Sequence, residues 1–329
     1  MISAPINALI RVGIAIVVAT LAAVAIASAA EPWPQRNVRF IVTLPPGSGV
    51  DLGARLFAER LSAKWGQPVV VENRPGGDGV VAITAFINAN DDHTLLFAPV
   101  SSFSAYAYLH PEEKVPYDPN DLVPIARVSN TVVVIGVPVS RNINSLKELI
   151  EHAKAQPGKL NWNTATGVSD FLFEGFEKSG GVRWTKVPYR NTVEALNDLA
   201  DGRIDVWCGA YTIARPQVQN GKVKLLAVTN GERAPMLSEL PTVAEAGYPA
   251  LHFDGLVGLF GPRKMSEELR TRIAADIAAV ADKTMGDKLA VSGQVMSPGT
   301  ASQFAVSIEE QRATVAAIAT QLGVKPASQ

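Results

Sequence analysis

The sequence predicts an α/β protein of two lobes, each a mainly parallel sheet flanked by helices, with a ligand cleft between them. Three observations carry this. A strand, a glycine- or hydroxyl-rich loop and a helix recur from Arg39 to Ser102 and again from Leu160 to Ala200. That rhythm builds parallel sheets with helices packed on them. Two apolar runs, Ile125–Val137 and Phe253–Phe260, are placed to cross between lobes. In such sheets ligands bind at the carboxyl ends of the strands, where the loops lie.

The first unit is the stretch RFIVTLPPGSGVDLGARLFAERLSAKWG, Arg39 to Gly66. Arg39–Leu44 is β-branched and apolar, so it reads as a buried strand. Pro45, Pro46, Gly47, Ser48 and Gly49 end it, because prolines lack a donor and glycines adopt unusual φ. From Asp51 the spacing is helical, and Leu52, Leu56, Leu61 and Trp65 are expected on one face. Asp51 suits a first turn, where a carboxylate meets the positive end of the helix dipole. The loop directs backbone N–H groups at whatever sits above it, which favours an anion. Val50-Asp51 stands where a Walker loop needs Lys-Ser/Thr, and Leu52 where a dinucleotide fingerprint needs its third glycine.

Val69–Glu72 is a second strand, followed by the turn Asn73–Gly79 and a helix near Val80–Asn88. Thr94–Ala98 is a third strand, ending in Pro99-Val100-Ser101-Ser102. Ser145 to Glu148 is a capping box for a helix through Ala155. Leu160–Asn163 is a strand, and Thr164 to Asp170 a polar loop opening the next helix. Lys186–Tyr189, Arg203–Cys208 and Val223–Val228 are further strands, and Val193–Ala200 is a helix. Thr242 to Glu245 is a second capping box, and the tail beyond Phe260 is helical. Residues 30–130 and 250–329 are assigned to lobe 1 and 131–249 to lobe 2.

Charge is balanced, with Lys+Arg 30 against Asp+Glu 31 and no basic run, so nucleic acid is not an expected partner. Residues 1–29 read as a signal peptide. Arg11 precedes the uncharged run Val12–Ala27, and Ala27-Ser28-Ala29 offers a cleavage site. The run is slightly short for a membrane span. Cys208 is the single cysteine and reads as a small buried hydrophobe. Trp162 and Trp207 read as packing residues. His93, His110, His152 and His252 have no metal-ligand spacing, and no G-x-S-x-G elbow exists. Neither enzyme chemistry nor a cofactor is therefore expected.

The chain resembles the Bug/TctC family of solute receptors of tripartite tricarboxylate transporters. The anchors include RFIVTLPPGSGVDLGARLFAERL, GQPVVVENRPGGDG, VPYDPNDLVPIARV, KVPYRNTVEALNDLADGRIDV and LPTVAEAGYP. The resemblance implies a type II-like periplasmic binding protein, exported and monomeric. It would close its lobes on a small carboxylate and present it to membrane transporter subunits. Carried over, the ligand-binding residues are Pro46, Gly47, Ser48, Gly49, Val50 and Asp51 in the first loop and Ser101 and Ser102 in the third. Lobe 2 contributes Thr166, Ser169, Asp170, Tyr189, Arg190 and Asn191.

The chain departs from the family pattern. Ser48 interrupts the glycines, and Val50 stands where a hydroxyl is usual. Pro99-Val100 replaces a polar pair, and Asp170-Phe171-Leu172 a Ser-Pro-His. The site is less hydroxyl-rich and more apolar, and Asp170 adds negative charge. A monocarboxylate with an apolar or aromatic body, or one with an amine to pair with Asp170, is favoured over a tricarboxylate. Asp51 and Asp170 have alternative roles as helix-terminus residues, and Tyr189 as a packing ring. A sensor presenting its ligand to a membrane signalling partner would share the same fold.

Overall fold

The structure is a computed structural model and describes residues 33–165, 167–189 and 191–328. The expected signal peptide, Thr166 and Arg190 lie outside the described residues.

The chain opens with β1 (Val38–Val42), α1 (Gly49–Trp65), β2 (Val69–Asn73), α2 (Val80–Ala89) and β3 (Thr94–Pro99). Two short helices follow, α3 (Ser101–Ser104) and α4 (Tyr106–Leu109), before β4 (Val123–Thr131). The middle of the chain gives β5 (Val133–Pro138), α5 (Leu146–Ala155), β6 (Asn161–Thr164), α6 (Gly167–Gly180) and β7 (Thr185–Lys186). Then come α7 (Thr192–Ala200), β8 (Val206–Ala210), α8 (Tyr211–Gln219) and β9 (Val223–Val228). The chain ends with β10 (Gly255–Gly261), α9 (Glu267–Val280), α10 (Lys283–Val291), β11 (Gln294–Gly299) and α11 (Ala301–Leu322).

These elements form two lobes, a six-stranded sheet ordered β11-β4-β10-β3-β1-β2 and a five-stranded sheet ordered β7-β6-β8-β5-β9. Both are mixed rather than mainly parallel. β1 lies parallel to β2 and β3, and β6 parallel to β7 and β8, as strand-loop-helix units require. β10 runs antiparallel to β3 and β4, β11 to β4, and β5 to β8 and β9. The antiparallel members include β4, β5 and β10, by which the chain leaves and re-enters the first sheet. The predicted run Ile125–Val137 is therefore two strands, divided at Val132. The Val132 N–H donates to the Gly293 carbonyl at 2.9 Å, and its own carbonyl accepts from the Tyr211 N–H at 2.8 Å.

Five expectations need correction. In α1 the core face is Val50, Ala54, Phe57 and Leu61, whereas Leu52 is exposed. Small residues at Gly53, Ala54 and Ala58 supply close approach there, and an apolar count weighted to leucine misses them. The Thr242 capping box forms, with reciprocal bonds of 2.8 and 3.1 Å to Glu245, yet no helix follows. Gly247 at φ +91° and Pro249 stop it. The tail is not wholly helical: Gln294–Gly299 adds edge strand β11, whose Pro298 suits an edge position. Of the predicted strand Lys186–Tyr189 only Lys186 is in β7, which begins at Thr185, and the predicted Arg203–Cys208 begins later, at Val206. Trp162 and Trp207 are fully buried packing residues, as expected.

Candidate functional site

The first loop is closed from inside. Ser48 caps α1 by accepting from the Asp51 N–H at 3.2 Å. Asp51 is 1% exposed. Its Oδ2 accepts from the Gly47 N–H at 2.9 Å and its Oδ1 from Asn73 Nδ2 at 2.9 Å, while Arg55 lies against both oxygens. Burial alone pushes the carboxyl upward, but the Gly47, Arg55 and Asn73 hydrogen bonds together hold it below the usual range. Gly47 sits at φ +84°, which its backbone needs to turn its N–H onto Asp51. Gly49 packs against the turn before β11, where a Cβ would meet the Ser292 carbonyl at 2.6 Å. The N–H groups of Gly49 and Val50 donate to no acceptor among the described residues. These two amides at a helix N-terminus are what an anion requires.

The second and third loops meet this one. A Cβ on Gly79 would sit 2.9 Å from Ser102 Cβ and 3.5 Å from Thr43 Cγ2. Ser101 and Ser102 are half-buried at the start of α3. Pro46 is exposed beside the first loop.

In lobe 2, Thr164 ends β6 and donates to Asp170 in the first turn of α6. Lys186 on β7 lies 3.0 Å from Asp170 Oδ2 and 3.0 Å from Glu174 Oε1. Burial raises the Asp170 carboxyl, and Thr164 and Lys186 only partly offset it. The expected extra negative charge is thus countered by a cation that sequence position alone does not place beside it. Ser169 is buried and contacts the Cys208 thiol, which burial pushes up to about 12. That thiol is a packing group, as expected. Tyr189 packs its ring against the core and donates to Asp198 at 2.6 Å; burial first, then this bond, pushes it up to about 12. Asn191 caps α7 through the Val193 N–H at 2.8 Å.

The structure thus brings Gly47, Ser48, Gly49, Val50 and Asp51 together, and joins Ser102 to the second loop. Asp51, Asp170, Tyr189 and the side-chain oxygen of Asn191 are engaged within the protein. Asn73 and Arg55, which hold Asp51, and Lys186, which faces Asp170, were not anticipated. Asn73 opens a glycine-rich turn and Lys186 begins a predicted strand, so their positions carried a signal but not their partners. A separate cavity of about 510 Å³ lies at the crossing segments, lined by residues such as Arg127, Asn130, Asn230, Asp254 and Gln311 and by none of the predicted residues.

Residues 53–324 match the family described as tripartite tricarboxylate transporter family receptor. The chain belongs to this family. It is similar to protein BugT of Bordetella pertussis, with 28% identity over 317 residues, 95% of this chain and 97% of that one. Two solved R. palustris structures share the fold. One, Rpa4515 with adipate, has a TM-score of 0.74 at 28% identity, covering 89% of this chain and 99% of that chain. The other, MatC with bound malate, has a TM-score of 0.72 at 26% identity, covering 87% and 99%. The receptor of this family is a solute-binding protein and not an enzyme.

Proposed function

We propose that this protein is a periplasmic receptor that captures a small carboxylate between its lobes and presents it to tripartite transporter subunits in the membrane. The observation that carries the reading is the pair of free N–H groups at Gly49 and Val50, on a loop held rigid by the buried Asp51. A carboxylate supplies the acceptors that these amides lack, and the helix terminus stabilises its charge. Ser101 and Ser102 add hydroxyls from the third loop. Lobe 2 contributes Ser169, Tyr189 and Asn191 to the other side. Contacts from both lobes favour the closed state by their differential affinity for it. The binding of adipate and malate by similar proteins supports a carboxylate ligand, and both are dicarboxylates. Lys186, shared by Asp170 and Glu174, reduces the charge objection to a second carboxylate. A ligand amine would have to compete with Lys186 for Asp170, so an amine-bearing ligand is disfavoured.

Calorimetry against adipate, malate, benzoate and citrate tests this. A heat of binding with one carboxylate class, lost in Gly49→Pro, is the expected result. No heat with any of them would remove the carboxylate assignment, and tight citrate binding would overturn the preference for smaller acids.

A further inference from the structure

The segment from Ser101 to His110 faces two cores. Phe103 and Tyr106 are buried in the lobe 1 core with Ile41, Phe260 and Phe304. Ala105 is buried in the other core, with Trp162, Phe171 and Phe173 of lobe 2, and Tyr108 and Leu109 pack against it. Such alternation along two short helices leaves no face to solvent alone, so the segment is wedged between the lobes. Both its ends are fastened to the second loop. At the start, Gly79 lies against Ser102 so closely that only a glycine fits. At the end, His110 Nε2 lies 2.8 Å from Asp78 Oδ2. Asp78 stands at φ +50°, in the left-handed region that aspartate tolerates better than most residues.

Toward lobe 2 the segment touches the predicted ligand loop. The Tyr108 and Phe171 rings lie 6.4 Å apart. A Cβ on Gly167 would come within 2.9 Å of Leu109 Cδ1 and 3.2 Å of Cδ2. Gly167 has no positive φ, so a side chain there would meet only the end of the Leu109 side chain. We propose that Leu109 is a positioning residue. Seated on Gly167, it ties the second and third loops of lobe 1 to the α6 loop of lobe 2, so that loops from both lobes face the ligand in one register. This rests on the proposed cleft only in taking Ser101, Ser102 and Ser169 as ligand-facing.

Hydrogen exchange on the unliganded protein tests it. Leu109→Ala removes the seat, and Gly167→Ala forces a methyl into it. Leu109→Ala is expected to speed exchange at Gly79 and Phe103–Ser104 about tenfold, and Gly167→Ala, which the end of the Leu109 side chain can partly evade, by about threefold although it lies in the other lobe. Combining Gly167→Ala with Leu109→Val conserves the carbon atoms at the contact and should restore wild-type exchange. Acceleration confined to the α6 loop in Gly167→Ala, or a double variant as fast as either single one, would overturn the proposal. General loosening of the fold would also speed Leu96 and Val206 in the strands, and the double variant then decides. The readout needs no ligand. Absence of heat with adipate, malate and benzoate would defeat the receptor assignment while leaving this coupling standing.

Discussion

Two strand-to-helix turns in this protein carry an aspartate in the first helical turn, Asp51 in α1 and Asp170 in α6. By position both carboxylates favour the helix dipole equally. Their surroundings separate them. Asp51 is almost fully buried, yet a backbone N–H, an amide and a guanidinium lower its pKa against the pull of burial. Asp170 has only a hydroxyl and a lysine shared with Glu174, and burial prevails, so its pKa rises. The direction of each shift is the balance of desolvation against donors: three donors prevail at Asp51, and desolvation prevails at Asp170. The first turn is a clamp, and the second is an adjustable pair. The glycines differ in parallel. Gly47 is required for its φ of +84°, whereas Gly167 has an ordinary φ and lies against the end of the Leu109 side chain.

The largest effect that follows is on the clamp. Asp51→Ala removes the buried acceptor shared by the Gly47 N–H, Asn73 and Arg55, of which Asn73 keeps the Leu44 carbonyl and Arg55 keeps Asn73, and a loss of about 1–3 kcal/mol is expected in urea unfolding. The wild-type contribution has a definite pH sign. A folded-state pKa below the unfolded value gives stability that is present above the unfolded pKa and lost as pH falls through the folded one. The difference between wild type and Asp51→Ala should therefore shrink on acidification. A variant within about 0.5 kcal/mol of wild type, the range of an ordinary surface substitution, would mean that Asp51 is no clamp.

A smaller effect isolates backbone from space. Nothing lies within 4 Å of a Cβ built on Gly47, so Gly47→Ala meets only its positive φ. A loss of about 1 kcal/mol is expected by thermal unfolding. A stabilised Gly47→Ala would show that the loop does not require this conformation.

Much of this contrast was legible in the sequence, and part of it was not. Short-range patterns specify local units: Pro45 to Gly49 closes a strand, and Ser48 with Asp51 opens a helix. The resemblance over the mature chain fixed the two-lobed order. What escaped was whatever depends on distant partners. Asn73 reaches Asp51 from across the β1–β2 pair, and Lys186 reaches Asp170 from β7. The buried face of α1 was misjudged because alanine and glycine pack there as effectively as leucine. The Thr242 box shows the converse, a local signal fully formed whose helix a following glycine and proline cancel.

The smallest expected effect is the most discriminating one. Asp170→Asn keeps an acceptor for Thr164 and leaves Lys186 its bond to Glu174 at 3.0 Å. Because the folded-state pKa of Asp170 is raised, its stabilising protonation is complete below the unfolded pKa and is lost as pH rises through the folded one. At neutral pH the ionised group is therefore a mild liability. Asp170→Asn should unfold within about 0.5 kcal/mol of wild type at pH 7 and fall behind it as the buffer is made acidic. This is opposite in pH sign to the clamp. If Asp170→Asn instead lost stability at pH 7 and recovered toward wild type in acid, Asp170 would be a second Asp51. The α6 turn would then be as rigid as the first, and lobe 2 would have no adjustable charge beside its predicted ligand loop.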